Sequence, residues 1–158
     1  MKTKSQEKKT ILLIEDEKSL LEVIKAKLEK SDFNVMTSRS VERAFSVDMK
    51  KNRSGNVTSN SVAAVLAYLE SLEKVDAIWL DHNLLGEDDG LDFVTKFKSN
   101  GDRWKDVPIF VVSNTSDAEL VDTYKKLGVS KYYVKSENKL ENIISDINLS
   151  LLPAGILK

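Results

Sequence analysis

The chain has 158 residues, 41% apolar and 31% charged, with 6 Gly and 2 Pro. This is the composition of one globular domain around one core, not of a disordered chain or a multidomain enzyme. Lys plus Arg number 24 and Asp plus Glu 25, a formal net charge of −1, which supplies no electrostatic reason to seek nucleic acid or an acidic membrane. With no Cys and a single His, disulfides, thiolate zinc sites, a thiol nucleophile and multi-His metal sites are all excluded.

The near-neutral charge averages unlike parts. Residues 1–10 carry four Lys against one Glu, leaving 20 basic and 24 acidic side chains in the other 148. Residues 1–9 show neither the apolar stretch of a signal peptide nor a membrane span; they read as a basic, disordered lead-in to a cytoplasmic protein. Ile11-Leu12-Leu13-Ile14 follows, an apolar run too short for a helix and read as a buried strand. Glu15, Asp16 and Glu17 come directly after it, and Leu20, Leu21, Ile24 and Leu28 then repeat at helical spacing.

Phe33-Asn34-Val35-Met36 is a weaker second strand. The 38 residues between Met36 and Val75 far exceed the ~10–12 that a crossover needs, so an insertion is expected at about residues 38–61. Within it Val41, Ala44, Phe45 and Met49 fit a short extra helix, and the polar stretch 50–61 fits a loop. It reads as a surface insertion, with a partner-binding hairpin as the alternative. Val62, Val65, Leu66, Leu69 and Leu72 then mark the crossover helix.

Ala77–Leu80 is the third strand and ends at Asp81. Leu91, Phe93, Val94 and Phe97 form the next amphipathic stripe. Pro108 precedes a fourth strand, Ile109–Val112, which ends at Ser113. Ser116-Asp117-Ala118-Glu119 resembles a capping box for the helix carrying Leu120, Val121, Tyr124 and Leu127, with Gly128 as its stop. Tyr132–Val134 is the fifth strand and Lys135 follows it. Leu140, Ile143, Ile144, Ile147 and Leu151 form the last helix, so the domain spans 10–152 and leaves 153–158 as a tail. Strands apolar on both faces and alternating with helices predict a doubly wound α/β fold, a five-stranded parallel sheet with helices on both faces.

In such a sheet ligands bind beyond the carboxyl ends of the strands, which is where Glu15, Asp16, Asp81, Ser113 and Lys135 fall. Taken singly, strand-end acids are ordinary helix caps and first-turn residues. Their coincidence at four strand ends is what points to a site. Three carboxylates in one pocket resist ionisation unless a cation compensates, and Mg²⁺, a hard ion held by oxygen ligands, fits that need. Asp81 is then a carboxylate nucleophile for a phosphoryl group, with Lys135 and Ser113 stabilising its oxygens. His82 follows Asp81 directly, and adjacent strand residues point to opposite faces. A Ser-His-Asp triad is therefore not expected, and His82 reads as a loop-side residue.

Four segments together resemble the receiver domain of two-component response regulators: ILLIEDE (Ile11 to Glu17), WLDHNLLGEDDGLDFV (Trp79 to Val94), VPIFVVSNTSD (Val107 to Asp117) and LGVSKYYVKS (Leu127 to Ser136). The resemblance runs from about Thr10 to Leu152, the insertion apart, and implies a flavodoxin-like receiver fold. It makes Asp81 the phosphoacceptor and a metal ligand. Asp16 would be a direct Mg²⁺ ligand, Glu15 would act directly or through water, and the main-chain carbonyl of Asn83 would complete the protein ligands. Ser113 would follow the phosphoryl group, Lys135 would pair with it, and Tyr132 would rotate between outward and inward positions. Asn83 and Thr115 occupy positions that tune dephosphorylation.

The resemblance further implies a signalling protein and not an enzyme, beyond its own phosphorylation and autodephosphorylation. Its donor would be a histidine kinase or a histidine phosphotransfer protein, and its output a protein effector in trans, since no residues remain for a DNA-binding domain. Four features depart from the family pattern: Ser136 after Lys135 where Pro is usual, which argues against a cis peptide; Leu85 in a loop one residue longer than usual; Asn114 in place of a small residue; and the insertion. Two alternatives remain. A pseudo-receiver would keep the fold without phosphorylation. A haloacid-dehalogenase-type phosphohydrolase uses similar groups but places its nucleophilic Asp after the first strand, whereas here the acidic pair comes first. Lys125, Lys126, Lys139, Glu141 and Asp146 give the last two helices a mixed, solvated surface, and no homodimer is inferred.

Overall fold

Strands with no polar face have to be covered on both sides, and the chain meets that demand with two helical layers. The computed structural model describes residues 7–38, 75–83, 89–99 and 105–152. Its strands are β1 (Thr10–Ile14), β2 (Asn34–Ser38), β3 (Ala77–Leu80), β4 (Ile109–Ser113) and β5 (Lys131–Val134). All pairs are parallel, in the order β2-β1-β3-β4-β5, which is the expected doubly wound sheet. The helices among the described residues are α1 (Lys18–Lys30), α2 (Gly90–Lys98), α3 (Ala118–Lys126) and α4 (Leu140–Ser150). None of them is long and apolar enough to cross a membrane.

Alternation along the strands divides the core. Leu12, Ile14, Ile78, Leu80, Ile109 and Val111 pack with Phe93, Val94 and Phe97 of α2 and Tyr124 of α3. Ile11, Leu13, Ala77, Trp79, Phe110, Val112 and Tyr133 pack with Leu21, Ile24 and Leu28 of α1 and with Ile143, Ile144 and Ile147 of α4. Every one of these side chains is buried, and β1, β3 and β4 each contribute to both layers.

Local chemistry sets the helix ends. Asp89 caps α2 in a reciprocal box, its Oδ1 accepting from Asp92 N while Asp92 Oδ2 accepts from Asp89 N. For α3 the expected cap at Ser116 is corrected to Asp117, whose Oδ1 accepts from Glu119 N at 3.0 Å. Gly128, at φ 89°, ends α3 in a Schellman motif, with Gly128 N donating to Lys125 O and Val129 N to Tyr124 O. The end of α1 has the same motif, but there Asp32 holds the left-handed position at φ 71°, with Phe33 N donating to Leu28 O.

Residues 1–6 of the lead-in, the insertion and crossover helix expected within 39–74, the 84–88 stretch containing Leu85 and the tail 153–158 lie outside the described residues. Lys9, at the end of the lead-in, accepts from Asn34 N through its carbonyl, and Lys8 pairs with Asp32 at 3.4 Å.

Candidate functional site

Register assembles the site. Ile14 pairs with Leu80 across β1 and β3, and Asp81 N donates to Ile14 O at 2.9 Å, so Glu15 and Asp81 leave the sheet as neighbours. Ser113 pairs with Val134 across β4 and β5, which brings Ser113 alongside the strand that delivers Lys135. Glu15, Asp81 and Ser113 are the buried polar residues among those described.

Lys135 lies between the two buried carboxylates, its Nζ 3.2 Å from Glu15 Oε2 and 3.3 Å from Asp81 Oδ2. Burial, then the Asp81 charge, push the Glu15 carboxyl from its ordinary 4.5 up to about 8. Burial raises Asp81 as well, with Lys135 opposing. Burial alone would lower the Lys135 ammonium, but the Asp81 and Glu15 carboxylates outweigh it and hold the ammonium above its ordinary value. One cation thus faces more acid than it neutralises. Carboxylate oxygens of Glu15, Asp16 and Asp81 lie within 4.8 Å of one another, an all-oxygen set suited to a hard divalent ion.

These acids are not used as helix caps. Glu17 occupies the N-cap of α1 without a side-chain cap bond, and Glu15 Oε1 accepts from Glu17 N at 3.3 Å while its carboxylate faces Lys135. Asn83 is exposed, and its N–H donates to Asp81 Oδ1 at 3.4 Å.

No protein-family model matches the chain, and no curated protein does. Solved structures do. The beryllofluoride-activated receiver domain of Klebsiella pneumoniae RstA matches with a TM-score of 0.65 at 19% identity, covering 91% of this chain and 99% of that one. The phosphorylated cyanobacterial phytochrome response regulator RcpA matches at 0.63 and 23% identity, with 91% of each chain covered. Vibrio cholerae chemotaxis protein CheY4 matches at 0.65 and 17% identity, over 92% of this chain and 100% of its own. The chain has the receiver fold.

Within that receiver fold, Ser113 Oγ accepts from Thr115 N at 3.4 Å. Tyr132, half-buried, donates its hydroxyl to the Thr115 carbonyl at 2.7 Å; burial is the main cause of its phenol standing above the usual value, opposed by a hydrogen bond with Ser113. Asn114 is exposed. No peptide bond among the described residues is cis, so Lys135–Ser136 is trans, and Lys135–Glu137 form one 3₁₀ turn. Asn138 Nδ2 donates to Val134 O at 3.0 Å across that turn.

Glu15, Asp16, Asp81 and Lys135 therefore meet, as their strand-end positions require. His82 does not join them. Its Nδ1 lies 2.7 Å from the Tyr124 hydroxyl, a partner invisible to sequence reasoning because Tyr124 fits the apolar stripe of α3. The available signal was a phenol in that stripe, whose polar tip needs a partner once buried.

Proposed function

We propose that this chain is a phosphoacceptor signalling protein of a two-component phosphorelay. A histidine kinase or histidine phosphotransfer protein would phosphorylate Asp81 in a Mg²⁺-dependent step, and the modified protein would change its binding to a protein effector in trans. One observation carries the reading: a buried carboxylate at the end of the central β3 strand, beside a second buried carboxylate and sharing its lysine with it.

The acidic set fits a divalent ion because burial and the Asp81 charge press Glu15 towards its neutral form, which added positive charge would offset. Asp16, Asp81, Glu15 and the Asn83 main-chain carbonyl would hold it, and Mg²⁺ when bound would supply the charge that offsets both these carboxylates and incoming phosphoryl oxygens. An Asp81 carboxylate oxygen attacks phosphorus; the P–N bond of the donor phosphohistidine breaks, its electron pair returning to the imidazole, and an acyl phosphate forms. Lys135 neutralises a phosphoryl oxygen and Ser113 donates a hydrogen bond to another. Tyr132 responds to the new charge, and Asn83 and Thr115 set how long it persists. The covalent chemistry is confined to phosphorylation and hydrolysis at Asp81.

Incubation with Mg²⁺ and acetyl phosphate, read by intact mass, is expected to add one phosphoryl group. In Asp81→Asn the adduct disappears while the circular dichroism spectrum is retained. A wild-type chain that is labelled neither by acetyl phosphate nor by a cognate kinase refutes the reading, and labelling retained in Asp81→Asn moves the acceptor elsewhere.

A further inference from the structure

The residue after Asp81 is tied to the helical layer behind the site. His82 Nδ1 and the Tyr124 hydroxyl lie 2.7 Å apart, with the rings edge-on at 5.7 Å between centroids and 86° between planes. Tyr124 projects from α3, is fully buried, and packs its ring 5.7 Å from that of Tyr132 at a tilt of 47°. Gly90, the first residue of α2, approaches the same junction. A Cβ added there would collide with the Tyr124 hydroxyl and lie 3.0 Å from both Asp81 O and His82 Cα. Gly90 N also donates to His82 O at 2.9 Å. The turn after β3 is thus held twice, its main chain by α2 and its side chain by α3.

A buried hydroxyl without a partner is costly, and burial raises the Tyr124 phenol far enough to keep its proton throughout the physiological range. Among the described residues His82 is the hydrogen-bond partner the structure gives it. Close-packed rings transmit displacement because no void absorbs it. A shift of the Asp81–Asn83 turn therefore displaces the Tyr124 ring, and Tyr132 lies against that ring.

We propose that Tyr124 is a positioning residue that couples the turn following Asp81 to Tyr132: its hydroxyl holds His82, and its ring carries a change at that turn to β5. The inference rests on the phosphoacceptor reading of Asp81 and adds a route through the core that the strand-end residues do not contain.

The test uses the full chain with ring-labelled tyrosine, the Tyr132 signal being assigned from Tyr132→Phe. Wild type given Mg²⁺ and beryllofluoride is expected to shift that signal. In Tyr124→Phe the shift falls to less than half. His82→Leu gives the same loss, the double variant loses no more than either single one, and His82→Asn, which keeps a polar atom near the Nδ1 position, restores most of the response. A Tyr132 shift of wild-type size in Tyr124→Phe, or losses that add in the double variant, overturns the coupling while leaving the phosphoacceptor reading intact. Should Tyr124→Phe fail to fold, the contrast between His82→Leu and His82→Asn decides, equal responses refuting the proposal. A wild-type chain that binds no beryllofluoride overturns the reading of Asp81 and this inference with it.

Discussion

Replacing Glu15 by Gln takes an ionisable carboxyl out of a place water does not reach. With divalent ions chelated, the wild-type carboxyl is pushed from 4.5 to about 8 by burial and then by the Asp81 charge. Between those values the folded chain keeps a proton that the unfolded chain releases. Stability therefore falls as pH rises from about 4.5 towards 8, and levels off above. At pH 7 about 2.5 pH units of that interval have been crossed, worth about 3 kcal/mol at roughly 1.4 kcal/mol per unit. Gln keeps a group able to accept from Glu17 N but loses the charge-assisted contact with Lys135, which returns about 1 kcal/mol. The net expectation is a gain of about 2 kcal/mol at pH 7, or about 4–8 °C in Tm.

Lys135 does not blur the comparison. Its value is raised above 10.5, so its contribution is fully present below that pH and constant through the window used. Urea unfolding in EDTA at several pH values between 4.5 and 8.5 measures the effect. The variant's advantage should vanish near pH 5, become a small deficit at pH 4.5 and grow towards pH 8, and Mg²⁺ should stabilise wild type more than Glu15→Gln because one oxygen donor has lost its charge. A variant no more stable than wild type at pH 7, or a gap independent of pH, refutes the electrostatic account of the site.

Three further outcomes follow from local geometry, each read by urea unfolding. Asp32→Gly relieves a left-handed residue at the end of α1 and should stabilise by about 1 kcal/mol; the exposed ion pair with Lys8 that it removes subtracts little. Gly90→Ala drives a methyl group into Tyr124, His82 and the Asp81 carbonyl and should cost about 2–3 kcal/mol by overpacking. Gly128→Ala meets no atom within 4 Å, so its cost should stay near 1 kcal/mol and come from the backbone conformation alone.

The strands were legible because a parallel strand buried on both faces leaves an unbroken apolar run: Ile11–Ile14, Ala77–Leu80 and Ile109–Val112 agree with the observed strands to within a residue. The second strand, read at Phe33–Met36, runs from Asn34 to Ser38, since alternation is weak where polar residues interrupt the run. The cap of α3 moved from Ser116 to Asp117 because either side chain satisfies the local pattern and only the backbone path chooses between them. Asp32 could not be read as a helix stop, since a left-handed residue is signalled by glycine and here the position is held by aspartate.

What the sequence determined by itself was the layer architecture and the residue type that each strand delivers at its carboxyl end, because both depend on neighbours a few positions apart. What the tertiary structure decided were the quantities that depend on distant pairs. Lys135 reaches Glu15 across 120 positions, and His82 finds Tyr124 across 42. The acidic cluster foreseen at −1 overall charge becomes a site only when β1 lies against β3, because burial and a second carboxylate at that edge, neither of them a property of local sequence, are what hold Glu15 near 8.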